Sequence, residues 1–192
     1  VTPEHKVRIV NAFKKHQLVV AMSGDGVNDA PSLKNADIGI AMGKTGTDVC
    51  KQASDMILAD DNFATIVEAV EQGRNIYLNI QKAVLYLLSC NLGEIMSLFL
   101  AIVFMPHVVS TLSAIQILWV NLVTDAFPAL ALGVDPMDKF IMEEKPRDRR
   151  ESLFAHGGMI FTIMNGMFIG TITLVAFRNG LDVSPAKAQT MA

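Results

Sequence analysis

The stretch from 62 to 104 constrains this chain most, because its pattern predicts one very long helix with two characters. Residues 62–82 are polar and amphipathic, whereas residues 83–104 are almost entirely apolar. At ~1.5 Å per residue such a helix is roughly 65 Å long, about twice the hydrocarbon core of a bilayer. We therefore expect one half to span a membrane and the other half to project into water. Asn91 and Glu94 interrupt the apolar half, and an acidic residue at that depth is a functional-site hypothesis.

The composition agrees with a membrane protein that carries a water-soluble portion. Of the 192 residues, 51% are hydrophobic, and the net charge of −3 argues against nucleic acid as a partner. Cys50 and Cys90 do not form a pattern typical of disulfides or zinc sites, which favours reducing conditions on the soluble side. The chain starts at Val1 with no signal peptide and stops in a polar stretch, so we expect a fragment of a longer protein.

Residues 1–61 alternate short strands with short helices, a pattern that predicts a parallel α/β sheet. Buried strands are predicted at 18–22, 38–42 and 55–59, where compact apolar runs end at Gly or Asp. In sheets of this kind the ligands gather at the carboxyl ends of the strands. We therefore expect functional residues in the loops that follow these strands.

The loop after the first predicted strand carries a candidate magnesium site. Asp25, Asn28 and Asp29 provide two carboxylates and an amide, while Gly24 and Gly26 permit close approach of the backbone. A few carboxylates, together with waters and phosphate oxygens, suit Mg²⁺. The same residue types are also typical of an ordinary turn, and composition alone leaves both interpretations open.

Residues 24–34 read GDGVNDAPSLK and closely resemble the hinge motif of P-type ATPases. The segments PEHK at 3–6 and ADIGIAMG at 36–43 continue the similarity on either side. The resemblance implies that residues 1–61 form the C-terminal part of a haloacid-dehalogenase-like, Rossmann-type α/β phosphorylation domain. It also implies a full-length enzyme that uses ATP and Mg²⁺. The family's phosphorylated aspartate and nucleotide-binding domain do not occur in this chain, so we expect the fragment by itself to be inactive.

The resemblance implies a catalytic role for four residues of this segment. Asp25 would coordinate the Mg²⁺ that bridges the phosphorylated aspartate, and Asn28 would hydrogen-bond the phosphoryl group. Asp29 would hold the loop and the metal shell in place, and Lys6 would neutralise charge on the transferring phosphoryl group. These roles suit phosphoryl transfer, which depends on positioning and electrostatic stabilisation. Without the motif, Lys6 is better explained as a solvated lysine on a helix face.

Three apolar spans are predicted, at 83–104, 111–132 and 158–177, and each is long enough to cross a bilayer. Residues 62–82 form a stalk helix before the first span. The connection 133–157 contains five basic side chains, namely Lys139, Lys145, Arg147, Arg149 and Arg150. By the positive-inside rule, residues 1–82 and 133–157 are cytoplasmic. The connection 106–110 and the tail 178–192 then lie on the opposite side of the membrane. The tail would be the start of a truncated extracytoplasmic loop.

Polar residues in the first two spans fall on one face of each helix. Asn91 and Glu94 are three residues apart, and Asn121, Thr124 and Asp125 have spacings of three and four. Two antiparallel helices would bring these faces together and assemble carboxylate, amide and hydroxyl oxygens. Such hard donors favour Ca²⁺ over soft metals. The alternative is that they only join the helices by hydrogen bonds, which explains two buried carboxylates poorly.

Two further features concern the backbone of the spans. Pro128 cannot bond to the carbonyl of Thr124, four residues earlier, so we expect the second span to loosen beside Thr124 and Asp125. Main-chain oxygens freed at such breaks coordinate ions in other transporters. In the third span, the spacing of Gly166 and Gly170 favours close helix packing rather than an ion-binding role.

The segments NLGE at 91–94 and LWVNLVTD at 118–125 resemble the fifth and sixth transmembrane helices of calcium-transporting P-type ATPases. The resemblance implies that Asn91 and Glu94 belong to one Ca²⁺ site. It places Asn121 and Asp125 chiefly in a neighbouring site, with Thr124 between the two. Further ligands in the family come from helices outside this chain, so the number of ions carried stays open. The third span would be the seventh transmembrane helix.

The leading interpretation is part of an ATP-driven Ca²⁺ pump, a multi-pass membrane protein that lies in the plasma membrane if the source is bacterial. Its expected partners are membrane lipid, the transported cation and the N-terminal portion of the same pump, with no nucleic acid. The same family with Mn²⁺, Na⁺ or H⁺ is one alternative. A channel or passive transporter with a tethered soluble domain and a membrane-anchored phosphatase are two others. A channel has no use for the loop at 24–29, and a phosphatase has none for paired carboxylates in a membrane.

Overall fold

A computed structural model describes residues 2–105, 112–148, 150–181 and 188–190. The chain divides into two compact units, and each is described by itself. The first comprises Val1–Gly73 with Met142–Glu151, and the second comprises Arg74–Ile141 with Ser152–Ala192. The predicted connection 106–110, the predicted start of the second span at 111, Arg149 and most of the predicted tail at 178–192 lie outside the described residues.

The first unit is built on a three-stranded parallel sheet with the strand order β1-β2-β3. Its elements in chain order are α1 (Pro3–Lys15), β1 (Ala21–Gly24), a 3₁₀ turn (Val27–Asp29), α2 (Ala30–Asn35), β2 (Ile38–Met42), α3 (Asp48–Ala53) and β3 (Met56–Leu58). The predicted parallel α/β arrangement is therefore confirmed at the level of the sheet. Its carboxyl edge carries the loops after Gly24, Met42 and Leu58.

One strand prediction is wrong in position. The apolar run at 18–22 predicts a strand there, but β1 begins at Ala21 and continues to Gly24. Leu18 and Val19 are 52% and 60% exposed, so they do not enter the core. Pairing with β2 sets the strand instead, because Ala21 faces Ile38 and Gly24 faces Ala41 in register. The second predicted strand matches β2, and the third shortens to Met56–Leu58.

The core of this unit consists of two small clusters of buried side chains. Leu33, Ala41 and Cys50 form one cluster, against which Met22 packs. The other comprises Ile40, Met42 and Leu58, together with Met56 and Ile66. Alternate residues of β2 thus enter different clusters, because successive side chains of a strand point to opposite faces of the sheet. Leu33 of α2 and Cys50 of α3 cover one face of this central strand, and Ile66 of the helix that follows β3 packs against the cluster on the other.

The second unit contains the helices that are long and apolar enough to cross a membrane. They are α4 (Phe63–Phe104), which begins in the first unit, the span Ala114–Gly133, and α7 (Gly158–Leu181). The predicted single long helix is confirmed, since α4 is continuous over 42 residues. The third predicted span ends too early at 177, because the helix continues through Arg178 to Leu181. A polar or basic side chain by itself does not end a helix.

The second predicted span is not one regular helix. It consists of α5 (Ala114–Trp119), a π-helical turn (Val120–Thr124) and α6 (Ala126–Gly133). Ser113 caps the first segment in a reciprocal arrangement with Gln116, which fixes the start three residues later than predicted. In the π turn the Asp125 N–H donates to the Val120 carbonyl at 2.9 Å. The predicted loosening beside Thr124 and Asp125 is therefore present, one turn before Pro128.

Glycines allow α4 and α7 to pack closely. A Cβ built at Gly166 would lie 2.7 Å from the Leu92 side chain, and one at Gly170 would lie 2.7 Å from the Met96 Cβ. On the opposite helix, a Cβ at Gly93 would lie 2.6 Å from the Ile169 side chain. Any larger residue at these positions would push the helices apart. The predicted packing role of Gly166 and Gly170 is confirmed.

Candidate functional sites

The first candidate site is the loop that joins β1 to α2 at the carboxyl edge of the sheet. Asp25 directly follows β1, and Asn28 lies in the 3₁₀ turn. Both side chains are exposed, whereas Asp29 is only 6% exposed. Gly24 is required here, because a Cβ at this position would lie 2.5 Å from the Asp29 Cβ. The loop therefore presents Asp25 and Asn28 to solvent and buries Asp29 beneath them.

Asp29 organises this loop through its own contacts. Its carboxylate forms an ion pair with the Lys6 ammonium of α1 and accepts the backbone N–H groups of Asp25 and Gly26, both at 3.4 Å. Burial opposes ionisation, but the hydrogen bond and the charge of Lys6, with the backbone N–H groups, hold the pKa of Asp29 below its usual range. The structure thus brings Lys6 to Asp29 on the inner side of the loop.

Three further contacts of this loop come from residues with no predicted role in the site. The Cys50 thiol approaches the Gly26 carbonyl at 2.7 Å, and the Thr47 N–H donates to the Asp25 carbonyl at 2.9 Å. The buried Ser32 hydroxyl donates to the Asp29 carbonyl at 2.8 Å. Ser32 lies within the motif at 24–34, so the sequence offered a signal for its role. Thr47 and Cys50 are more than 20 residues away along the chain, and no local pattern marks them.

Asp61, at the same edge of the sheet, also holds a loop through its carboxylate, in an arrangement that we call the Asp61 clamp. Its carboxylate accepts the N–H groups of Gly43, Lys44 and Thr45 at 2.6, 3.0 and 2.8 Å, and it also accepts the Thr45 hydroxyl. The N–H of Lys44, with those of Thr45 and Gly43, lowers the pKa of Asp61 to about 2. The residue has a φ of 57°, an uncommon conformation that Asp tolerates better than most residues. Asp61 thus ties the loop after β2 to the loop after β3.

The second candidate site lies in the second unit, between α4 and the interrupted span. The Asn121 side-chain N–H₂ donates to both carboxylate oxygens of Glu94, at 3.0 and 2.8 Å. It also reaches the Ile117 carbonyl of its own helix at 3.0 Å. The structure therefore brings together Glu94 and Asn121, two of the residues predicted for the cation site, although they are 27 positions apart.

Asp125 lies at the end of the π turn and is 4% exposed. One of its carboxylate oxygens, Oδ2, is buried with no hydrogen-bond partner among the described residues. The Cys90 thiol of α4 forms a hydrogen bond with the Asp125 carboxylate. Cys90 also forms a hydrogen bond with Tyr86, which lies one turn before Cys90 on the same helix. Buried polar atoms almost always have a partner, so a carboxylate oxygen left without one indicates a place for a ligand.

Asn91 and Thr124 do not join this group. Asn91 is exposed, and its side-chain N–H₂ donates to the Leu87 carbonyl of its own helix at 2.9 Å. Thr124 is also exposed, in the π turn. The sequence spacing predicts one face for Asn91 and Glu94. However, side chains three residues apart point in directions that differ by about 60° around the helix axis. Asn91 is accordingly exposed, whereas Glu94 is partly buried.

The donor set limits which ions these sites suit. Among the described residues, no group of three or more His, Cys, Asp or Glu is placed to hold a metal ion. An ion at either site would therefore also draw on amides, main-chain carbonyls, water or groups outside the described residues. Glu94 and Asp125 lack a Lys, Arg or His partner in the part of the chain that the structure describes. Two carboxylates, the buried Asp125 and the partly buried Glu94, without a cationic side chain beside them are suited to a cation.

Comparison with known proteins identifies one matching family model and several similar proteins. Residues 109–192 match the family model described as cation transporting ATPase, C-terminus. Calcium-transporting ATPase 1 of Bacillus cereus is 60% identical over 94% of this chain, and the match covers 20% of that protein. The calcium-transporting ATPase of Bacillus subtilis is 50% identical over the whole chain, which covers 22% of that protein. An endoplasmic reticulum-type calcium-transporting ATPase of Arabidopsis thaliana is 50% identical over 91% of it.

The chain thus spans about a fifth of the length of the bacterial relatives that it matches. Among the described residues, three helices are long and apolar enough to cross a bilayer. The protein is a multi-pass integral membrane protein. The matches extend over both units, including the loop at 24–29 and the segment with Glu94 and Asp125. Over 94–100% of its length the chain is similar to bacterial proteins named calcium-transporting ATPases, and its C-terminal part matches a family of cation transporting ATPases.

Proposed function

We propose that this chain is part of an ATP-driven pump that transports Ca²⁺ through an aspartyl-phosphate intermediate. The observation that carries the proposal is the pair of carboxylates Glu94 and Asp125, which lie in membrane-capable helices without a cationic partner among the described residues. An uncompensated charge costs several kcal/mol in such surroundings, so it persists where function requires it. The names of the relatives favour Ca²⁺ over the other cations considered, and favour a pump over a channel or a phosphatase.

Glu94, Asn121 and Asp125 would provide the Ca²⁺ ligands that this chain contributes. Carboxylate and amide oxygens are the groups that Ca²⁺ prefers, and six to eight of them are usual. Asn91 and Thr124 remain proposed ligands, and the side chains of both are exposed. Asn121 now donates to Glu94, which keeps that carboxylate ordered and leaves the amide oxygen of Asn121 free of this contact. The remaining ligands would come from parts of the pump outside this chain.

The loop at 24–29 would serve phosphoryl transfer in a haloacid-dehalogenase-like domain, of which residues 1–61 are a part. Asp25 fits a Mg²⁺ ligand, because its carboxylate is exposed at the carboxyl edge of a parallel sheet and its backbone is held by Asp29 and Thr47. Mg²⁺ would neutralise charge on the phosphate oxygens. The exposed Asn28 amide would bind the phosphoryl group, and Lys6, which is 32% exposed, would add positive charge beside it.

The proposed topology follows from charge and from the position of the phosphoryl-transfer loop. Residues 1–82, including the stalk at 62–82, and the connection 133–157 would be cytoplasmic. Two side chains of the second unit hold part of that connection to α4. Asn79 donates to the Asp135 carbonyl at 2.9 Å, and Arg74 donates to the Ile141 carbonyl at 2.9 Å. Lys82 also pairs with the Asp135 carboxylate at 2.6 Å.

The experiment that tests the proposal measures Ca²⁺-dependent phosphoenzyme formation from ATP by the full-length protein. We expect phosphoenzyme to form only when Ca²⁺ is present, and Glu94→Gln and Asp125→Asn to shift its Ca²⁺ dependence to much higher concentration. Asp138→Asn, which removes an exposed carboxylate from the same unit, serves as the matched control and is expected to behave as wild type. Wild-type Ca²⁺ dependence in both membrane variants would show that the assigned site is wrong.

A further inference from the structure

The first turn of α3 holds two consecutive carbonyl groups of the loop at 24–29. The Thr47 N–H donates to the Asp25 carbonyl at 2.9 Å, and the Cys50 thiol approaches the Gly26 carbonyl at 2.7 Å. Thr47 is also the N-cap of α3, where its hydroxyl accepts the Cys50 N–H at 3.4 Å. The two loop contacts therefore originate from a single capped turn. They fix the orientation of the peptide groups on either side of Gly26.

Cys50 cannot leave this position without disturbing the core. It is 0% exposed and packs with Leu33 and Ala41 in one of the two buried clusters of the unit. The Gly26 carbonyl that it contacts also accepts the Asp29 N–H at 2.8 Å, which closes the 3₁₀ turn. The thiol thus contacts the same carbonyl that closes the 3₁₀ turn, which contains Asn28 and ends at the buried Asp29.

We propose that Cys50 is a positioning residue for the loop, and that it sets the orientation of Asp25 and Asn28. This inference rests on the proposed phosphoryl-transfer role of the loop. Asp25 and Asn28 have exposed side chains, so the backbone contacts beneath them determine where they point. Phosphoryl transfer depends largely on positioning, and a small displacement of a catalytic group lowers the rate markedly. Cys50 itself touches neither substrate nor metal in this role.

The test compares three variants in the full-length pump. Cys50→Ala removes the thiol and keeps a small apolar side chain, whereas Cys50→Ser restores a donor whose shorter bond still reaches the Gly26 carbonyl. Leu33→Val, from the same buried cluster, removes a similar volume without a polar contact to the loop and is the packing control. Two quantities are measured: the rate of amide hydrogen exchange in residues 25–29, and the Mg²⁺ concentration that gives half-maximal phosphorylation.

We expect Cys50→Ala to raise both quantities about fivefold, the factor that corresponds to one ordinary hydrogen bond. Cys50→Ser should return both to within about twofold of wild type, since the donor is restored. Leu33→Val should lower the thermal midpoint as much as Cys50→Ala does, yet leave both quantities at their wild-type values. An equal rise in Leu33→Val would assign the effect to packing and overturn the inference, as would unchanged exchange in Cys50→Ala.

The failure of this inference is distinguishable from failure of the proposed function. If the wild-type pump forms no Mg²⁺-dependent phosphoenzyme, the proposed function is wrong, and the positioning role with it. Should wild type form phosphoenzyme that Asp25→Asn abolishes, while Cys50→Ala changes neither exchange nor Mg²⁺ dependence, the function stands and only the inference about Cys50 is overturned.

Discussion

The loop at 24–29 and the Glu94–Asp125 cluster differ in how the charge of a buried carboxylate is compensated. In the loop, Asp29 has a cationic partner in Lys6 and two backbone N–H groups within reach. In the cluster, Glu94 is held by one neutral amide, and Asp125 keeps an oxygen without a hydrogen-bond partner among the described residues. The charge of Asp29 is therefore stabilised by Lys6 of α1 and by backbone N–H groups of the loop. The cluster leaves charge uncompensated, which is what a site for a transported cation requires.

The largest effect separates the two regions by function. We predict that Asp125→Asn weakens Ca²⁺ binding by about 100-fold or more, because one charge of a partly buried site is lost. Asp25→Asn, the same chemical change in the loop, should abolish Mg²⁺-dependent phosphorylation and leave Ca²⁺ binding unchanged. Equilibrium ⁴⁵Ca²⁺ binding and phosphoenzyme formation on the full-length protein measure the two effects. Loss of both activities in either variant would remove the distinction between the regions.

The next effect concerns the ion pair inside the loop. Asp29→Asn should destabilise the first unit by about 2 kcal/mol, the contribution of a charge-assisted hydrogen bond whose partner stays partly buried. Lys6→Met should cost less, since Lys6 is one-third exposed and solvent screens its charge. Asp48→Asn, on the exposed start of α3, is the control. Thermal unfolding of the full-length protein gives these values, and a neutral Asp29→Asn would contradict the role assigned to that carboxylate.

Asp61 adds a pH-dependent effect to the soluble region. Its pKa of about 2 lies below the usual value of 3.8, so its contribution to stability is complete above about pH 4. That contribution should disappear progressively as the pH falls towards 2. Asp61→Asn removes the titrating group, so the difference in unfolding midpoint between wild type and variant should shrink over this range. A difference that stays constant from pH 5 to pH 2.5 would show that the clamp does not depend on the charge.

The smallest effect concerns α4, which belongs to both units. A Cβ at Gly73 would meet nothing within 4 Å, so Gly73→Ala has room and should stabilise the helix by about 0.5–1 kcal/mol. Because the two units divide at this residue, we also predict fewer Ca²⁺ ions transported per ATP hydrolysed. Vesicle transport assays measure that ratio. Unchanged coupling would make Gly73 a detail of packing, since position between two sites is not proof of coupling.

The features that sequence predicted well are those set by local patterns. The long apolar and amphipathic periodicity specified α4 to within one residue of its start, and Pro128 indicated the irregular turn near Asp125. The alternation of elements specified a parallel sheet. These properties depend on neighbours along the chain. They need no knowledge of tertiary contacts.

The features that sequence missed depend on contacts through space. The exposure of Asn91 follows from how α4 is rotated against its neighbours, which helical spacing does not fix. The Cys50–Gly26 contact and the Asp61 clamp join segments 24 and 16–18 positions apart. Leu18 and Val19 look like core residues but stay exposed, because strand pairing begins only at Ala21. In each case the deciding partner is distant in the chain.

The central claim is that the carboxylates of the membrane region are kept for a cation. The most direct test is the thermal stability of wild type and Asp125→Asn in full-length protein, with and without Ca²⁺. The variant should be at least as stable as wild type without Ca²⁺, because it removes an uncompensated buried charge. Ca²⁺ should then stabilise wild type strongly and the variant little. A variant that is less stable without Ca²⁺ and gains as much as wild type from Ca²⁺ would contradict the account.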